Sequence, residues 1–103
     1  MRPARLEGSE RDAAIAELTG AGWTLDPNRD AVSKSFRFTD FSAAFGWMAR
    51  CALEAEKLDH HPEWSNTYNR VQVLLTTHDV KGLTVLDLDL ARAMDRFAAG
   101  QAA

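Results

Sequence analysis

The chain has 103 residues, 46% of them hydrophobic and 26% charged, which fits one compact domain over 1–103 with a single core. A formal net charge of −3 gives no general pull toward phosphate backbones or anionic lipid, so direct nucleic-acid and membrane partners are not expected. No apolar run approaches the roughly 20 residues of a membrane span, and Met1 to Arg11 carries charges but no signal-peptide core. Cys51 is the only cysteine, which excludes an internal disulfide. Between Arg50 and Ala52 it reads as a small helix-packing residue, and a reducing cytoplasm is the expected compartment.

In chain order, Ser9 is a plausible N-cap for a first helix carrying Ala13, Ile15, Ala16 and Leu18, which Gly20 and Gly22 end. A short strand over Trp23–Leu25 and a turn through Asp26-Pro27-Asn28-Arg29 lead into Ala31–Phe38. There Val32, Lys34, Phe36 and Phe38 alternate with Ser33, Ser35 and Arg37, so the pair reads as a hairpin with one buried face. Thr39 or Asp40 caps a long helix to Leu58, on which Phe41, Ala44, Phe45, Met48, Ala52 and Ala55 recur at helical spacing and are expected to form its core stripe. A second hairpin runs from Glu63 to Thr77 with its turn near Tyr68-Asn69-Arg70, and His78 is expected to end the last strand. After Gly82, Thr84 caps a final helix whose stripe is Leu86, Leu90, Ala93, Met94 and Phe97. Helix, two strands, helix, two strands, helix imply an α+β fold: a four-stranded antiparallel sheet of two hairpins with three helices on one face.

The chemistry concentrates between residues 56 and 87. All three histidines lie between 60 and 78, and imidazole titrates near enough to neutrality both to give and to take a proton. His60 and His61 open the second hairpin and His78 closes it, so strand pairing brings them to the same sheet edge. Glu56, eleven residues after Phe45 and so about three turns on, is placed on the core-facing stripe just before the histidines. Asp87 enters from the first turn of the last helix, three residues after Thr84, where a carboxylate also completes a capping box. Each residue has a plain alternative: His60 and His61 as loop residues, His78 as a satisfied polar group, Asp87 as a cap. Adjacent histidines do not supply the spaced pairs of a structural zinc site. No P-loop, nucleophile elbow or dinucleotide fingerprint is present.

The pattern Glu56-x3-His60-His61-Pro62-x5-Tyr68-x9-His78-x8-Asp87 resembles the signature of the pterin-4a-carbinolamine dehydratases. The resemblance runs from about Leu6 to Phe97 and includes Gly22-Trp23, Phe36 to Phe41, Ala55 to Trp64, Thr77-His78-Asp79 and Gly82-Leu83-Thr84. It implies an enzyme that removes water from 4a-hydroxytetrahydropterin, the product left by aromatic amino-acid hydroxylases, to give quinonoid dihydropterin without metal or cofactor. It further implies that His60, His61 and His78 surround the pterin. His60 and His78 would donate and accept the proton, and His61 would hold the ring. Asp59, Pro62, Thr76, Thr77 and Asp79 would line the substrate, while Glu56 and Asp87 would orient imidazoles. The family also includes stabilisers of a transcription-factor dimer, so an interaction module is the rival reading. Homodimers or homotetramers are the assemblies expected.

Overall fold

The computed structural model describes residues 2–100. Its elements are α1 (Gly8–Gly20), β1 (Thr24–Asp26), β2 (Ala31–Arg37), α2 (Phe41–Leu58), β3 (Glu63–Thr67), β4 (Arg70–Leu75) and α3 (Val85–Ala99). The strands form one antiparallel sheet in the order β1-β2-β4-β3, and the α+β order is the expected one. Two hairpins supply the outer pairs. The α2 crossover lets β2 and β4 pair in the middle, with Val32 opposite Leu75 and Phe36 opposite Val71.

Alternation along the central strands sends Val32, Phe36, Val71, Val73 and Leu75 into one core with Leu18 of α1, Trp47 and Cys51 of α2, and Leu90 and Met94 of α3. An aromatic group fixes α2 on the sheet. The Trp47 ring lies 4.5 Å from Phe36 and 5.2 Å from Phe38, and its Nε1 donates to the Met94 carbonyl at 3.0 Å. Such ring pairs add about 0.5–1.5 kcal/mol beyond the area they bury, and the indole N–H is satisfied rather than stranded. Lys34 shares the inner face only by its stem. Its ammonium reaches the edge to meet Asp95 at 2.7 Å and stands 5.0 Å above the Phe36 ring. Burial pushes the Cys51 thiol up to about 12, in keeping with a packing role.

Three expectations need correction. The core stripe of α2 is Ala44, Trp47, Cys51 and Ala55, whereas Phe41 and Phe45 are 48% and 57% exposed. Two apolar series of helical period overlap on this helix, and the bulk of Trp47, which fills the space against Phe36 and Phe38, decides which one faces the sheet. Glu56 therefore projects to solvent instead of lying on the core face. His78 does not end a strand. The ladder stops at Leu75, Thr77 and Gly82 bridge each other, and His78–Val80 form a 3₁₀ turn inside that bridge. Smaller shifts displace element starts by one or two residues: α1 starts at Gly8, with Glu7 in the cap position instead of Ser9, and β1 starts at Thr24 instead of Trp23.

Candidate active site

Two helix ends set the site. α2 terminates in a left-handed residue, Asp59 at φ 50°, followed by the paired closing bonds Asp59 N–H to Glu56 O at 3.1 Å and His60 N–H to Ala55 O at 3.0 Å. This is the Schellman arrangement, which folds the second residue past the helix back over its last turn. Here that residue is His60, so it turns inward and is 4% exposed. Pro62 cannot continue the helix, and β3 begins at Glu63. At the opposite wall Thr84 caps α3 by accepting the Leu86 N–H at 3.1 Å, and Asp87 returns a carboxylate oxygen to the Thr84 N–H at 2.9 Å. The capping box expected from sequence is complete.

These ends bring His60 and Asp87 together across the core. His60 Nε2 lies 2.6 Å from Asp87 Oδ1, and both groups are buried. The other oxygen, Oδ2, accepts the Thr77 hydroxyl at 2.8 Å besides the Thr84 N–H. Thr77 gives its single proton to the carboxylate, so the 2.8 Å contact between Thr77 and Thr84 hydroxyls is a donation from Thr84. Both Asp87 oxygens, both threonine hydroxyls and His60 Nε2 have partners. No buried side-chain nitrogen or oxygen among the described residues lacks one. Among the described residues His60 Nδ1 has no hydrogen-bond partner, and since no buried side-chain nitrogen there lacks one, Nδ1 is not sealed off but opens where His60 lines a cleft.

The other two imidazoles repeat the pairing at the surface. His61 Nε2 meets Glu56 Oε1 at 2.6 Å, and His78 Nε2 meets Glu63 Oε2 at 2.8 Å. Glu63 is in turn gripped by both terminal nitrogens of Arg29, at 3.0 and 2.7 Å. That bidentate bond, and secondarily the His78 imidazole, hold the Glu63 carboxyl down to about 2. With Nε2 taken in all three pairs, Nδ1 is the nitrogen left to a ligand.

His60, His61, Pro62, Thr77, His78 and Asp79 line one cleft of about 150 Å³. Three residues expected to bind substrate or orient it lie elsewhere. Asp59, the left-handed cap, faces solvent; Thr76 lines a neighbouring cavity with His78 and donates to the Asp30 carbonyl at 3.1 Å; Glu56 reaches the site only through His61. Glu63, Arg29 and Arg2 were given no role from sequence. Arg2 lines the cleft and spans Asp79 at 3.2 Å and Asp59 at 3.6 Å. Glu63 stands one residue beyond Pro62, at the mouth of the hairpin whose two ends carry the histidines, and that position was its only signal.

Fold and site define a class: a small α+β protein whose helix-covered antiparallel sheet holds a histidine–carboxylate cleft at the open end of its β3–β4 hairpin. The chain belongs to the pterin 4 alpha carbinolamine dehydratase family, a family of hydro-lyases, whose model matches residues 4–97. A protein of Novosphingobium aromaticivorans provisionally named a pterin-4-alpha-carbinolamine dehydratase is 57% identical over 97 residues, 94% of this chain and 99% of that protein. One of Jannaschia sp. with the same provisional name is 52% identical, covering 91% and 96%. The crystal structure of a transcriptional coactivator/pterin dehydratase from Brucella melitensis superposes with a TM-score of 0.83 at 53% identity, covering 91% of this chain and 98% of that one. Among the described residues no helix is long and apolar enough to cross a membrane.

Proposed function

We propose that this protein dehydrates 4a-hydroxytetrahydropterin to quinonoid dihydropterin by histidine general acid–base catalysis. The observation that carries the reading is the convergence of three imidazoles, each backed by its own carboxylate on Nε2, on one cleft. Loss of the 4a-hydroxyl as water needs a proton delivered to the departing oxygen. The C=N bond forms as N5 gives up its own proton, so one acid and one base suffice and the proton count closes.

His60 and His78 are assigned as that pair and His61 as the residue that holds the ring. A carboxylate on the far nitrogen fixes the tautomer and stabilises the imidazolium formed when Nδ1 takes a proton. Asp87 and Glu63 are placed to do this for His60 and His78, and Glu56 for His61. Thr77, Pro62 and Asp79 contribute polar and apolar wall to the pterin, with Asp59 and Thr76 at its margins.

The reading requires neither metal nor cofactor. The protein is assigned to the cytoplasm, in step with an aromatic amino-acid hydroxylase that produces the substrate. A homodimer or homotetramer is proposed, since the exposed Phe41 and Phe45 rings, 5.8 Å apart, are apolar surface that a second copy could cover. A transcriptional interaction role, which the Brucella relative's description includes, would use such a surface and would not need the histidines. The test is an ultraviolet assay on chemically prepared 4a-hydroxytetrahydropterin, with the associating species sized by light scattering. Accelerated dehydration that is unchanged by EDTA is expected. No acceleration, or activity that EDTA removes and zinc restores, would overturn the mechanism.

A further inference from the structure

A larger cavity, about 580 Å³, opens on the other side of His78. His78 borders both it and the histidine cleft. At about 150 Å³, the histidine cleft falls below the roughly 300–1,000 Å³ of sites that bury most of a small-molecule ligand. A pterin with its reacting edge among the imidazoles must therefore extend past His78, and the larger cavity is the space beyond it.

That space has a sign. Arg5, Arg29 and Lys81 line it against one carboxylate, Asp30, in a chain whose formal net charge is −3. Asp30 is already engaged: Oδ1 meets Arg11 at 2.5 Å and Oδ2 accepts the Leu83 N–H at 3.2 Å. Arg29 is committed to Glu63. Arg5 and Lys81 remain. Among the described residues neither forms an ion pair, and Arg5 makes only a long bond to the Lys81 carbonyl at 3.4 Å.

The position of Arg5 is built into the fold. The Leu6 N–H to Leu83 O bond at 2.8 Å ties down the segment that carries it. Gly82 is the residue it crosses: a Cβ there would collide with the Arg5 stem, so glycine makes room for the guanidinium at the cavity's edge. Lys81 stands beside it in a left-handed conformation, φ 55°.

We propose that this cavity is a subsite for an anionic group, phosphate or carboxylate, on the side chain of a pterin whose ring occupies the histidine cleft, with Arg5 and Lys81 as its charge partners. The inference rests on the pterin reading given above. Both cations are exposed, so the gain is modest and screened by salt.

The test is fluorescence titration of the intact protein with two oxidised, unreactive pterins that differ only in the side chain: neutral neopterin and neopterin monophosphate. The phosphate ester is expected to bind about threefold to tenfold more tightly at low ionic strength, with the ratio falling as salt rises. Lys81→Asn, which removes the charge and suits the left-handed backbone, should bring the ratio toward one, and Arg5→Gln should do the same. Inorganic phosphate should erase the ester's advantage without displacing neutral neopterin. Equal binding of the two pterins, an unchanged ratio in both variants, or displacement of both ligands by phosphate would each overturn the subsite. Failure of either pterin to bind would instead bring down the pterin reading on which it stands.

Discussion

His60 and His78 face one cleft and hold a carboxylate through the same ring nitrogen at nearly the same distance, 2.6 and 2.8 Å, yet they sit in opposite surroundings. The His60–Asp87 pair is buried with Thr77 and Thr84, while the His78 side chain is 61% exposed and the Glu63 side chain 41%. Bond length does not separate the two pairs; solvent does. A charge removed from water is costly to leave without a partner, whereas a surface carboxylate that loses its partner is rehydrated at once. The buried pair therefore belongs to the fold as much as to the site, and the exposed pair adds little to the fold.

The largest effect should come from the buried side. Asp87→Ala would leave the Thr77 hydroxyl, the Thr84 N–H and His60 Nε2 without their acceptor and remove half of the α3 capping box. It is expected to cost about 3–5 kcal/mol, read as a lowered urea midpoint at pH 7. Glu56→Ala, which breaks an equally short but exposed bond to His61, should cost less than about 1 kcal/mol. Similar losses in the two variants would erase the distinction between the pairs.

The exposed side can be probed by acid. Glu63 is held at about 2 in the folded protein against an ordinary value of 4.5. A depressed carboxyl pKa favours the folded state above pH 4.5, and that stabilisation is lost as pH falls from there toward 2. Because the group is more than a third exposed, screening keeps its contribution below about 1 kcal/mol. The stability difference between wild type and Glu63→Gln should therefore be smaller at pH 3 than at pH 7. A difference that does not change with pH would show that the Arg29–Glu63–His78 chain does nothing for stability.

What was legible in the sequence follows the same division. Element order, both hairpins and the α3 cap were readable because they depend on local signals: alternation over 31–38, Asn69 in a turn, and Thr84 with Asp87 three residues on. The rotation of α2 was not. Phe41-Phe45-Met48-Ala52 and Ala44-Trp47-Cys51-Ala55 both recur at helical period, and only packing of Trp47 against Phe36 and Phe38 selects the second. Placing Glu56 on the wrong stripe followed from that choice. Glu56 still meets a histidine, which proves to be His61, because an exposed carboxylate at the helix end can reach a neighbour five residues on. The motif implied that Asp87 meets an imidazole but not which one, and the burial of the His60–Asp87 contact depends on the Schellman turn at Asp59, an aspartate where glycine is the usual signal. Arg29 and Glu63 meet across 34 residues, a pairing that no local pattern announces.

The central claim, that these imidazoles move the protons, is tested most directly by steady-state dehydration kinetics of His60→Gln, His78→Gln and the double variant. Glutamine can still offer an N–H to Asp87 or Glu63 but cannot titrate, so circular dichroism should show folded proteins. Each single variant is predicted to lower kcat/KM by about 10²-fold, the usual size of one acid–base contribution, and the double variant by considerably more. Folded single variants with wild-type kcat/KM would contradict the account and leave the histidines as structural residues of an interaction module.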